Sequence, residues 1–99
     1  MSIYTLKKLS APVITGTVPG IVMVEWENIE GESGYQISKS TSKSKTNIVS
    51  TYATTTEDSK EISAKKDKTY YYKVRAYKKV GSKKVYGPWS DVITYTNIQ

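Results

Sequence analysis

The sequence predicts an all-β fold, a seven-stranded antiparallel sandwich, and three observations carry that expectation. The first is the stretch from Lys68 to Trp89, in which a Tyr- and Val-rich run ends at a Gly81-Ser82 turn and a second short β-rich segment follows. The second is the even spacing of other short β-type segments between Gly, Pro and polar clusters. The third is that no segment shows a helical period of apolar residues. Such a pattern is that of two stacked antiparallel sheets about 10 Å apart.

Taken in order, residues 1–11 lack a clear period and are expected to be a tail or linker, and residues 97–99 a second tail. Between them, 12–96 form one domain. Pro12 introduces a segment at Val13 to Thr15 that suits only an edge, because proline cannot donate to a ladder. Gly16 to Gly20 is a turn. From Ile21 the alternation is clear, with Val22, Val24 and Trp26 on one face and Met23, Glu25 and Glu27 on the other. Asn28 to Gly34 connects to a strand in which Tyr35 and Ile37 point inward. Lys39 to Asn47 reads as a polar loop, Ile48 to Tyr52 as a strand, Thr54 to Asp58 as a connection and Ser59 to Ser63 as a short strand around Ile62.

The longest strand, Tyr70 to Lys79, sets Tyr70, Tyr72, Val74 and Ala76 on one face and Tyr71, Lys73, Arg75 and Tyr77 on the other. Lys83 to Tyr86 follows the turn, and Asp91 to Thr96 comes after Gly87-Pro88. The expected core is Val22, Val24, Trp26, Tyr35, Ile37, Tyr70, Tyr72, Val74 and Ala76.

Ninety-nine residues suit a single compact module. Cysteine and histidine are both absent, which removes thiolate nucleophiles, disulfides and the commonest metal ligands and general base. No Gly-rich phosphate loop is present. Glu25 and Glu27 share a solvated strand face, remote from any concave wall where a carboxylate pair would act. The chain is therefore expected to have no catalytic residue, no metal and no cofactor.

No apolar run approaches the ~20 residues of a membrane span, and Met1 to Pro12 lacks the apolar centre of a signal peptide. The expectation is a piece of a longer polypeptide without membrane insertion. Net charge is +6, with Glu25, Glu27, Glu30 and Glu32 grouped early and most lysines after Ser38. Lysines scattered this way keep a β-module soluble and protect its edges. The same asymmetry also suits an anionic partner, such as an acidic glycan or cell-wall polymer. No nucleic-acid motif accompanies it.

Val24-x-Trp26, Gly34-Tyr35-x-Ile37, Thr69-Tyr70-x-Tyr72-x-Val74-Arg75-Ala76 and Gly87-x-x-Ser90, in that order and at that spacing, resemble a fibronectin type III domain from about Pro12 to Thr96. The resemblance implies an immunoglobulin-like sandwich of strands A, B and E against C′, C, F and G. It places Trp26 in the core and Tyr70 at the tyrosine corner, its hydroxyl bonded to the chain just upstream. The family usually has leucine six residues before that tyrosine, whereas this chain has Ala64, and Ile62 or Tyr72 is expected to fill the space. The Tyr-rich run followed by Tyr-Gly-Pro-Trp-Ser is similar to such domains in bacterial extracellular and cell-surface multidomain proteins, including glycan-degrading enzymes. That context implies a non-catalytic extracellular or cell-surface module acting as spacer and interaction unit beside neighbouring domains. Neither an Asn-x-Ser/Thr acceptor nor Arg-Gly-Asp occurs.

Tyr86-Gly87-Pro88-Trp89-Ser90 is also similar in spacing to the Trp-Ser-x-Trp-Ser element of class I cytokine receptors, whose aromatic rings stack on cations of the neighbouring strand. Trp89 is accordingly expected over Arg75 or Lys73, with Tyr86 continuing a ladder that stiffens the edge. The alternative is a ligand-binding face of Tyr71, Lys73, Arg75, Tyr77, Tyr86 and Trp89 on strands F and G. There, exposed rings would stack on the sugars of a glycan or cell-wall polymer and the cations would bond its hydroxyls or carboxylates.

Overall fold

The computed structural model describes residues 6, 8–29, 31–52 and 58–98. Eight strands lie among them: β1 (Val13–Val18), β2 (Ile21–Glu25), β3 (Gly34–Ser40), β4 (Ile48–Tyr52), β5 (Ser59–Ser63), β6 (Thr69–Val80), β7 (Lys83–Tyr86) and β8 (Ile93–Thr96). One sheet has the order β1-β2-β5; the other has the order β4-β3-β6-β7, with β8 also paired to β6. All pairings are antiparallel. Most of the expected connection at Thr54 to Asp58 lies outside the described residues.

The count of eight rather than seven comes from one interrupted edge. β7 pairs with the far half of β6, Tyr77 opposite Tyr86, and β8 pairs with the near half, Tyr72 opposite Ile93. Between them Gly87 N donates to Ala76 O at 2.9 Å and Ser90 N donates to Val74 O at 2.8 Å. Pro88 has no N–H to give, so the ladder breaks at this point. Ser90 repairs part of the break: its hydroxyl accepts the Val74 N–H at 2.9 Å and donates to Asp91 O at 3.1 Å. Gly81 forms the hairpin turn with a φ of +62°, a conformation open to glycine and costly for most other residues.

Alternation on β2, β3 and β6 fills the space between the sheets. Val22, Val24, Trp26, Tyr35, Ile37, Tyr70, Tyr72, Val74 and Ala76 are all buried in one cluster, and the Trp26 and Tyr35 rings meet at 5.5 Å. Ile14, Ile29 and Ile62 extend it. At the tyrosine corner the Lys65 N–H donates to the Tyr70 hydroxyl at 3.4 Å. Ala64 is 2% exposed. Around it, Ile62 belongs to the same cluster, the Tyr70 and Tyr72 rings pack edge-on at 6.3 Å, and Asn97 Nδ2 donates to Ala64 O at 2.7 Å.

Two expectations about the ends are corrected by this packing. Leu6 and Leu9, inside the supposed tail 1–11, are core residues with 7% and 1% exposure. Their segment is anchored where Ser10 N donates to Glu27 Oε1 at 2.7 Å and where Lys8 Nζ meets Asp91 at 2.8 Å. That ammonium holds the Asp91 carboxyl below its ordinary range. Gly87 accommodates the segment, because a Cβ there would lie 2.8 Å from Leu6 Cβ. At the other end Asn97 is fully buried, so the expected tail 97–99 begins with a core residue. Residues 1–5, 7 and 99 lie outside the described residues.

Candidate functional site

The outer face of β6 carries the residues that the sequence singles out. Period-two alternation turns Lys73, Arg75 and Tyr77 away from the core, and the β7 edge with its Gly-Pro break lays Tyr86 and Trp89 beside them. The Arg75 guanidinium carbon sits 3.9 Å from the Tyr86 ring centre and 4.3 Å from that of Trp89. Lys73 Nζ lies 4.8 Å from the Trp89 ring centre, and Lys84 Nζ lies 4.7 Å from that of Tyr77. Tyr77 and Tyr86 meet at 6.3 Å. Cation and ring therefore alternate along the face, each contact worth about 0.5 to 2 kcal/mol.

Gln36 completes the ladder. β3 runs beside β6 with Gln36 opposite Arg75, and Arg75 Nε donates to Gln36 Oε1 at 2.9 Å. Burial pushes the Arg75 pKa down, and the neighbouring Tyr86 opposes that shift. The sequence reading missed Gln36 as a partner, although alternation with Tyr35 and Ile37 already set it on this outer face.

Tyr77 corrects the expected exposed strip. It is 1% exposed, although it stands on the outer face. Opposite it on β3 is Gly34, which has no side chain to hold the ring away from the sheet, and opposite it on β7 is Tyr86. With Lys84 above, the ring is covered, and its hydroxyl pKa is raised mainly by that burial and further by Tyr86. Tyr71 is also separate from the ladder's ring cluster. It pairs with Ser40 and Thr94 at the other end of β6, six residues or about 20 Å along the strand from Tyr77. Tyr86 is 43% exposed, while Trp89 is half-buried.

The remaining candidates sit apart from this face. Glu25 is exposed, and half-buried Glu27 accepts the Ser10 N–H. Among the described residues no three His, Cys, Asp or Glu side chains gather closely enough to hold a metal ion. No helix there is long and apolar enough to cross a membrane.

Two core tyrosines make the sandwich sensitive to alkali. The Tyr35 hydroxyl donates to Asn28 Oδ1 at 2.7 Å and accepts the Ile29 N–H at 2.9 Å. Its pKa is pushed up to about 12, first by burial and then by the negative charge of Glu32 and Asp58, against the Ile29 N–H, which lowers it. Tyr72 is likewise pushed up to about 12 by burial and by Tyr70 and Tyr95. The folded pKa lies above the unfolded value near 10, so the unfolded chain loses these protons first as pH rises. The stability they contribute is complete below about pH 10 and is lost through about pH 12. Tyrosinate absorbance followed against circular dichroism checks this. The last tyrosines should ionise together with loss of structure.

Comparison with solved structures now decides the architecture. The chain superposes on the FN1–FN3 domains of chicken CNTN1 with a TM-score of 0.76 at 21% identity, covering 94% of this chain and 31% of that one. It superposes on the sixth fibronectin type III domain of human fibronectin type III domain containing protein 3 with a TM-score of 0.75 at 21% identity, covering 99% and 91%. The fold is that of a fibronectin type III domain. A third similar chain is the β-1,2-glucanase from Parabacteroides distasonis, with a TM-score of 0.71 at 19% identity, covering 99% of this chain and 14% of that one. No protein-family model and no curated protein sequence matches the chain. In fibronectin type III terms, β1, β2 and β5 are strands A, B and E. β4, β3 and β6 are C′, C and F, and β7 with β8 makes the split strand G.

Proposed function

We propose that this fibronectin type III domain is a non-catalytic spacer and interaction module of a larger extracellular or cell-surface protein, in the bacterial setting that its Tyr-rich style resembles. The observation that carries this reading is the direction of the chain through an elongated body. Val13 lies beside Glu25 at one end of the sheets, and Thr96 lies beside Thr69 at the other. The longest dimension is 49 Å. Neighbouring domains joined at these two ends are held apart by a body whose sheets, buried core and cation–ring edge all resist bending. The glucanase likeness supports a place beside a glycan-degrading domain, since this fold occupies a small share of that enzyme's chain.

The other reading, a glycan or anionic cell-wall polymer held on the face of strands F and G, has less support. Sugar stacking needs open ring faces. Tyr77 is buried, Arg75 and Lys73 occupy the Tyr86 and Trp89 rings, and Tyr71 is far from them. The exposed part of Tyr86 is what remains in its favour.

A replacement in the parent protein tests the spacer. An unrelated fibronectin type III domain is expected to preserve the neighbour's activity on a polymeric substrate. A Gly/Ser linker of equal residue number, a flexible coil, is expected to lower it several-fold and to leave activity on a small soluble substrate unchanged. Equal performance of linker and domain would overturn the proposal.

A further inference from the structure

The end of the sandwich opposite the Gly81 hairpin is strongly cationic. Residues 39–47 supply Lys39, Lys43 and Lys45 with no acid, and residues 63–70 supply Lys65, Lys66 and Lys68 with Asp67 as the sole acid. The two segments meet, because Lys39 Nζ donates to Ser63 O at 2.6 Å and lies 4.7 Å from the Tyr70 ring centre. Toward the other end Glu25, Glu27, Glu32 and Asp58 stand with Lys78, Lys79, Lys83 and Lys84 of the hairpin, so charge there largely cancels and the uncompensated positive charge lies at this end.

A cleft opens there, about 340 Å³ in volume, lined by Lys39, Ser40, Thr41, Lys45, Thr46, Asn47 and Tyr70. Its loop is internally braced. The Ser40 hydroxyl shares its one hydrogen between the carbonyls of Ser42 at 2.7 Å and Lys45 at 3.0 Å, and Lys45 N donates to Ser42 O at 3.1 Å. Asn47 N donates to the Ser38 hydroxyl at 3.0 Å, while Lys39 N donates to Asn47 O at 2.9 Å. An ammonium has three hydrogens, and Ser63 takes one from a Lys39 side chain that is already fixed. A ligand there gains a charge-assisted bond with little ordering of the protein.

We propose that this cleft binds an acidic glycan, its carboxylate or sulfate set between Lys39 and Lys45 and its hydroxyls on Thr41, Thr46 and Asn47. The volume is at the lower end of the range for small-ligand pockets and suits a sugar unit or two. The walls combine the hydroxyl and amide groups of Thr41, Thr46 and Asn47 with the ammoniums of Lys39 and Lys45 and the apolar flank of Tyr70, a mixture that matches the hydroxyls, acidic groups and C–H faces of a sugar acid. Single-stranded nucleic acid needs open aromatic platforms, whereas Tyr70 is 7% exposed and carries Lys39 on its ring. This site is independent of the spacer role and lies on a different part of the domain from the ladder.

Calorimetric titration of the full chain at low salt tests it with four probes: an oligogalacturonate for carboxylate, a heparin oligosaccharide for sulfate, maltohexaose as a neutral sugar and oligodeoxythymidine. One or both acidic sugars are expected to bind, and maltohexaose is not. Lys45→Glu, in an exposed loop, is expected to weaken binding about tenfold, as is Lys39→Gln, while Lys83→Glu at the opposite end changes it less than about twofold. Failure of both acidic sugars would overturn the proposal, as would equal loss in Lys45→Glu and Lys83→Glu. Oligodeoxythymidine binding as tightly as the sugars would overturn it too, leaving only diffuse attraction of polyanions.

Discussion

Leu9→Ala is expected to lower the stability of the isolated domain by about 2–5 kcal/mol, the cost of deleting buried methyl groups and leaving the space behind them. Leu9 is 1% exposed, and Leu6 joins the same cluster. Urea denaturation reads the effect as a lower midpoint with an unchanged slope. The prediction is a large one because a linker residue would show a change within about 0.5 kcal/mol. Such a small change would return residues 1–11 to the role of tail. The same packing explains why glycine occupies position 87, where a Cβ would crowd Leu6.

Arg75→Ala is expected to cost about 2–3 kcal/mol. It removes cation–ring contacts at 3.9 and 4.3 Å and leaves Gln36 Oε1, in a residue only 6% exposed, without its donor. Arg75→Lys should recover only part of the loss. A lysine ammonium lacks the planar guanidinium that stacks on the rings while its Nε bonds sideways to Gln36. Thermal melts of the three proteins, with Trp89 fluorescence reporting the local change, check the order. A melting temperature for Arg75→Ala equal to that of the parent chain would mean that the stacked geometry contributes nothing to the fold.

Period-two alternation was enough to identify the core of β2, β3 and β6 from the sequence, because each inward position is decided by its own strand. Trp26, Tyr35 and Tyr72 needed no long-range information. The ladder was readable in part, since Trp89 and Arg75 are fixed on one face by alternation and by the Gly-Pro break. Alternation gives the side of a sheet but not what covers that side. Tyr77 is buried by its registers with Gly34 and Tyr86 and by Lys84, none of which is near it in β6. Leu6 and Leu9 escaped for a related reason. Their three-residue spacing fits no strand, and their burial depends on a chain that packs against the core without joining a sheet. The 39–47 loop looked merely polar, because its cleft exists only once the 63–70 turn has folded against it.

The account rests on the aromatic and cationic face of strands F and G being used within the fold, and a double-mutant cycle of Arg75→Ala and Trp89→Ala measures that most directly. Urea denaturation of the parent chain, the two single variants and the double variant yields the coupling between the two side chains. A coupling of about 1 kcal/mol or more is expected for a guanidinium held against an indole. Additive losses, with coupling near zero, would contradict the account and return Trp89 to the role of a ring available to a ligand.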